Sequence, residues 1–153
     1  MADINVAASA EDQKSIAAWL EVLERHVNGV DLVAARKMFD EAIVGFGSIS
    51  TVIGRDKLEA TQWRLVWPTM EDFRFQIQGL EARLSDDRKL ALAAVTFMSK
   101  GIAENGQRYD RPGRATFVLA RPSLDAAWLA IHNHFSLNPG ISHKSFGKKP
   151  IIE

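Results

Sequence analysis

The chain opens with a helical period. Ile16, Trp19, Leu20, Leu23 and Val27 recur at three- and four-residue steps, which predicts an amphipathic helix over Glu11 to His26. Ser9 stands three residues before Asp12, a spacing that caps the first turn, and Asn28-Gly29 supplies the stop. A second, short helix is predicted over Asp31 to Met38, with Asp31 as its cap and Leu32, Ala35 and Phe39 on one face. The period then changes. Glu41 to Phe46 is a short apolar run ending in Gly45-Phe46-Gly47, the pattern of a buried strand running into a loop. Asp56-Lys57-Leu58-Glu59 has capping-box spacing and opens a third helix, which Pro68 ends at about Trp67 because proline disfavours helix before it.

From Asp72 the period is two. Phe73, Phe75 and Ile77 alternate with polar residues, but beyond Gly79 the apolar set becomes Leu80, Ala82 and Leu84, which predicts a bulge at Gly79 and a strong bend. Ser85-Asp86-Asp87 reads as a turn, Lys89 to Ser99 as a long strand and Glu104-Asn105-Gly106 as a hairpin turn. Arg114 to Arg121 and Ala127 to Leu137 are two further strands. Gly140 to Glu153 has no period. The expected organisation is an arm over residues 1–9, one domain over 10–139 and a flexible tail over 140–153. Helices first and hairpin-joined strands afterwards predict an α+β fold, with about three helices on one face of a strongly bent antiparallel sheet. The last strand sets Leu129, Ile131, Phe135 and Leu137 against Trp128, Ala130, His132, His134 and Ser136, so both of its sides call for burial. The first set is expected on an outer sheet face that pairs with a second copy in a homodimer.

Composition narrows the chemistry. With 153 residues, 46% of them hydrophobic and 25% charged, the chain suits one ordinary globular core. Nineteen basic residues balance nineteen acidic ones, so no global field favours nucleic acid or anionic lipid. The absence of cysteine removes disulfides, thiolate nucleophiles and Cys-based metal sites. The opening residues look like no leader, and no uncharged stretch approaches the ~20 residues of a membrane span, so a cytoplasmic protein without membrane contact is expected.

Several short sequences then join into a resemblance. Val44-Gly45-Phe46-Gly47, Gly54-Arg55-Asp56, Arg114 to Leu119, and Trp128-Leu129-Ala130-Ile131-His132-Asn133-His134-Phe135-Ser136, behind a helical first third, resemble the SnoaL-like branch of the nuclear transport factor 2-like (ketosteroid-isomerase-like) superfamily. The closing W-x-x-x-H-x-H-x-S is also similar to the end of the association domain of calcium/calmodulin-dependent protein kinase II. The resemblance implies a cone, with a bent sheet wrapped around the first helices, a pocket inside and dimers formed through the outer sheet face. It does not carry a function over, because enzymes, transport factors and assembly hubs share that cone.

Within such a cone, His132 and His134 lie two apart on a strand and so share a face, which suits acid–base work on an apolar carbonyl compound. Asp40 is the one acid near the first strand able to look inward. Arg114 is a candidate cation for a carboxylate or enolate, and Trp19, Phe46, Trp63, Trp67 and Trp128 are candidate apolar walls for an apolar or aromatic ligand. His-x-His offers two metal ligands and no assignable third, so neither a metal nor another cofactor is expected. Tyr109, the single tyrosine, is expected in a turn rather than on the first helix, which weakens steroid isomerisation. Two readings follow: a cofactor-independent isomerase, cyclase or hydratase, or a non-catalytic binding or assembly module.

Overall fold

The computed structural model describes residues 4–153. Helix α1 spans Ala10–Gly29, and the Ser9 hydroxyl accepts the Asp12 N–H at its start. Val30, not a glycine, takes the left-handed conformation that ends it, at φ 51°. A β-branched residue resists that conformation. Burial to 1% exposure and a bond from the Ile152 N–H to its carbonyl at 2.9 Å hold it there. Asp31 caps α2, Leu32–Arg36.

Strand β1, Phe39–Phe46, pairs with the short β2, Thr51–Ile53, in a hairpin that the sequence pattern does not reveal. The third helix runs in four pieces: α3 over Arg55–Leu58, a π turn over Glu59–Trp63, α4 over Arg64–Val66, and a 3₁₀ turn over Trp67–Thr69 that contains Pro68. Its expected capping box is not used. Gly54 stands at the cap without a side-chain bond, and Asp56 pairs with Arg36 at 2.6 Å instead.

Strands β3, Glu71–Phe75, and β4, Glu81–Leu84, lie end to end along β5, Leu90–Ile102. The change of apolar parity between them comes from a 3₁₀ turn over Ile77–Gly79 rather than from a bulge. Strands β6 (Arg108–Asp110), β7 (Gly113–Ala120) and β8 (Leu129–Leu137) complete an eight-stranded sheet in the order β2-β1-β8-β7-β5-β3, with β4 and β6 also on β5. Tyr109 therefore lies in a strand and not in a turn. The sheet is mixed, not wholly antiparallel, because β1 meets β8 in parallel. Rather more than half of the chain lies between these two strands, so no hairpin constrains their directions. The helices fill the concave face, where Trp19 of α1 meets Phe117 of β7 edge-on at 5.2 Å.

One irregularity decides which way the last strand looks. Val118 pairs with His132 and Leu119 with Ala130, so Ile131 is an extra residue in the ladder, a bulge that shifts parity by one. Asn133, Phe135 and Leu137 turn inward, whereas His132, His134 and Ser136 turn outward. The expectation that Phe135 and Leu137 lie on the outer face with Leu129 and Ile131 is corrected by that bulge.

Residues 140–153, expected as a tail, pack along the body. The Tyr109 hydroxyl donates to the Lys144 carbonyl at 2.6 Å, the Phe146 N–H to the Ile102 carbonyl at 2.8 Å and the Lys149 N–H to the Pro68 carbonyl at 2.8 Å. Ser145 bonds to the Thr69 carbonyl, Ile152 bridges to Asp31, and Glu153 pairs with Arg64. A side chain at Gly147 would meet the Thr69 carbonyl at 2.6 Å, so the approach needs glycine. Backbone bonds, the Tyr109 and Ser145 hydroxyls, one ion pair and one glycine hold this strap, and none of these leaves a hydrophobic period to read.

Candidate functional site

The cone encloses a cavity of about 40 Å³ between the third helix and the concave sheet face. At roughly 10–15 Å³ for each water-sized body, that is room for a few such bodies. Trp63 and Trp67, four apart on the helix, stack at 5.0 Å with 19° between their planes and form one wall. Phe97 and Phe135, with centroids 5.8 Å apart, form part of the other. The π turn widens the helix by one residue where Gln62 faces in. The Gln62 amide donates to Ser48 Oγ at 3.0 Å, and its Oε1 accepts from the Ile49 N–H and from Ser50 Oγ, each at 3.2 Å. This clamp closes the β1–β2 loop over one end of the cavity. A Cβ at Gly47 would fall 2.3 Å from the Gln62 side chain.

Arg111 and Asn133 supply the remaining polarity. Arg111, between β6 and β7, is 2% exposed and lines the cavity. Its backbone is fixed by Ser99, whose carbonyl accepts the Arg111 N–H at 2.8 Å and whose hydroxyl donates to the Arg111 carbonyl at 2.8 Å. Its Nη1 faces the Met70 sulfur at 3.8 Å, and its Nε has no protein partner. Among the described residues no carboxylate pairs with it. Desolvation pushes its pKa below the ordinary arginine value, although a guanidinium stays charged near neutral pH. Asn133 is also 2% exposed, and its Oδ1 has no protein partner. Gly45 makes room for it, since a Cβ there would lie 3.2 Å from that oxygen.

Of the residues singled out from sequence, Trp63 and Trp67 line this cavity. The others do not, and each placement has a cause. His132 and His134 share a face, but the Ile131 bulge makes it the outer one, where both rings meet Phe46 edge-on at 5.4 Å. His132 Nδ1–H donates to the Val44 carbonyl at 2.9 Å. Arg114 also faces outward, bonding Ser136 Oγ at 3.1 Å. Asp40 folds onto its own backbone and accepts the Ala42 N–H at 2.9 Å. Trp19 and Trp128 are core: Trp19 Nε1–H donates to the Trp128 carbonyl and Trp128 Nε1–H to Ser15 Oγ, each at 3.1 Å. The cavity lining among the described residues thus includes no histidine, aspartate or glutamate. Arg111, Asn133 and Gln62 carry no sequence signal as single polar residues. Only the parity of β8, read with its bulge, points to Asn133.

No protein-family model and no curated protein matches the sequence. Solved structures do match, and they show the nuclear transport factor 2-like fold. A chain from Xanthomonas campestris named for the calcium/calmodulin-dependent protein kinase II association domain superposes with a TM-score of 0.71 at 20% identity, over 92% of this chain and 99% of that one. A ketosteroid isomerase-like protein from Erwinia carotovora atroseptica SCRI1043 gives 0.68 at 16% identity, over 84% and 98%. A nuclear transport factor 2-like superfamily protein from Salmonella enterica serovar Typhimurium LT2 gives 0.70 at 14% identity, over 90% and 99%. Among the described residues no helix is long and apolar enough to cross a membrane.

Proposed function

We propose that this protein is a ligand-binding module that takes a small apolar carboxylate into the cone, held by Arg111. The single observation that carries this reading is a fully buried guanidinium facing an aromatic cavity without a counter-ion. A buried charge is costly unless it is paired, and a ligand carboxylate would complete the pair with charge-assisted bonds. The alternative, acid–base catalysis by His132, His134 or Asp40, has less support, because all three lie outside the cavity and its lining offers no group that exchanges a proton near neutral pH. Titration calorimetry with propionate and its neutral twin propionamide, small enough for a cavity of about 40 Å³, tests the reading. The acid is expected to bind at least about tenfold more tightly, as bonds to a charged group predict. Equal affinities, or no binding of the acid, would overturn it.

The same reading includes a homodimer through the outer sheet face. Val44, Phe46, Leu90, Leu92 and Ile131 are large apolar residues exposed there, an unusual cluster for a lone chain. Neighbours with this fold include a chain named for an association domain. Phe46→Glu combined with Leu92→Glu should halve the sedimenting mass while leaving the melting temperature of the fold nearly unchanged. A wild-type protein that sediments as one chain at micromolar concentration rules the dimer out.

A further inference from the structure

Among the described residues that line the cavity, all but Ser48 and Phe135 are buried. Phe135 is fixed in β8, where the ladder pairs it with Ala115. Ser48 belongs to the β1–β2 loop, outside any helix or strand. Met70 and Arg111 also lie outside regular structure, but both are buried, and their neighbours Thr69 and Tyr109 carry bonds to the strap. The β1–β2 loop is therefore the part of the wall with the least to hold it down.

What does hold it is one side chain. Among the described residues, every hydrogen bond that ties positions 47–50 to the molecule outside their own hairpin ends on the Gln62 carboxamide. The bond within the loop, from the Gly47 N–H to the Ser50 carbonyl at 2.8 Å, keeps its shape when it lifts. Ile49 is 48% exposed and gives the loop little apolar hold. Gln62 itself is buried on the π turn, a distortion that recurs at functional sites. We infer that the β1–β2 loop is the lid of the cavity and the Gln62 carboxamide its latch, so that a short carboxylate reaches Arg111 when these bonds break together. The inference rests on the pocket reading above and adds the ligand's way in.

Amide hydrogen exchange at Ile49, whose N–H donates to Gln62 Oε1, reports the opening of this loop. Propionate at ten times its dissociation constant should slow that exchange about tenfold, because a ligand held by the closed form draws population from the open one. Gly47→Ala sets a Cβ 2.3 Å from the Gln62 side chain, at a backbone position outside the left-handed region, and so unlatches the loop. It should speed both Ile49 exchange and the on–off exchange of propionate, read at the Trp63 and Trp67 indole resonances, by about tenfold, as the loss of a few hydrogen bonds does. Gln62→Leu deletes the latch itself and should act the same way. The wild-type comparison stands by itself should either variant fold poorly. If propionate binds the wild type yet leaves Ile49 exchange unchanged, or if a folded variant exchanges propionate at the wild-type rate, the lid is overturned and the carboxylate pocket stands. If propionate binds neither the wild type nor Gly47→Ala, the pocket reading falls and the lid falls with it.

Discussion

Asp12→Ala should cost about 3–5 kcal/mol, as breaking a buried ion pair from one side does. Asp12 is 2% exposed near the start of α1, where its carboxylate accepts from Arg88 Nε at 2.7 Å, Arg88 Nη2 at 2.9 Å and Arg121 Nη2 at 3.1 Å. Ser9 Oγ adds a fourth bond at 3.2 Å. The Arg121 guanidinium also lies 3.9 Å over the Trp128 ring, and its Nε donates to the Arg88 carbonyl at 3.0 Å. One carboxylate thereby ties the first helix to the β4–β5 turn and to the end of β7. Alanine leaves the buried Arg121 without its counter-ion and leaves Ser9 with a cap but no partner for its own proton. For a domain of this size the melting temperature should fall by roughly 10 °C. A double-mutant cycle with Arg121→Met should show strong coupling. A loss below about 1 kcal/mol, with no coupling, would mean that the cluster contributes packing only.

The same carboxylate sets an acid limit. The Arg88 hydrogen bonds, opposed by desolvation and helped by Arg121 and Ser9, lower its pKa from 3.8 to about 2. A depressed folded-state pKa adds stability that is fully present above the unfolded value, and protonation removes it as pH falls through the folded value. The wild type should therefore lose on the order of 2 kcal/mol from this group between about pH 4 and pH 2. Asp12→Asn should lack that part of the acid transition.

What was legible in the sequence follows from what kind of force holds each element. The α1 stripe of Ile16, Trp19, Leu20, Leu23 and Val27 is a one-face burial pattern, so period alone places the helix against the sheet. The long β5 strand reads equally well, with alternate residues buried along its length. The short β2 and β6 strands have three residues each, too few for a period to emerge. The orientation of β8 was misread for a sharper reason. Every inference about His132, His134, Phe135 and Leu137 assumed unbroken alternation, and a single inserted residue at Ile131 exchanges the two faces. Apolar Phe135 and polar His134 are both tolerable on either face, so composition could not reveal the slip. The pocket's aromatic wall was half legible, because Trp63 and Trp67 share a helix face. Its polar groups were not, because Arg111 follows a run of charged and polar residues that resembles an exposed loop until the fold buries it.

That burial makes the largest functional prediction a double one. Arg111→Met should weaken carboxylate binding strongly while leaving the protein at least as stable as the wild type. A guanidinium held at 2% exposure without a carboxylate partner has lost its hydration and keeps only Met70 and the Tyr109 side chain in exchange, and methionine fills similar length without carrying that cost. Removal of the one cation among the described residues lining the cavity should weaken propionate by about 10- to 150-fold, the range for bonds to a charged group. Arg111→Lys keeps the charge but loses the planar fork, so it should lie between the two in affinity. This pairing of gain and loss is the signature of a residue retained for binding against its effect on folding. A structural role predicts the reverse: the backbone bonds to Ser99 would survive substitution, yet the melting temperature would drop as the β6–β7 corner lost its Met70 contact. Thermal unfolding of wild type and Arg111→Met, each with and without propionate, distinguishes the two. A variant that melts several degrees lower and still binds the acid would move Arg111 from the binding site to the scaffold.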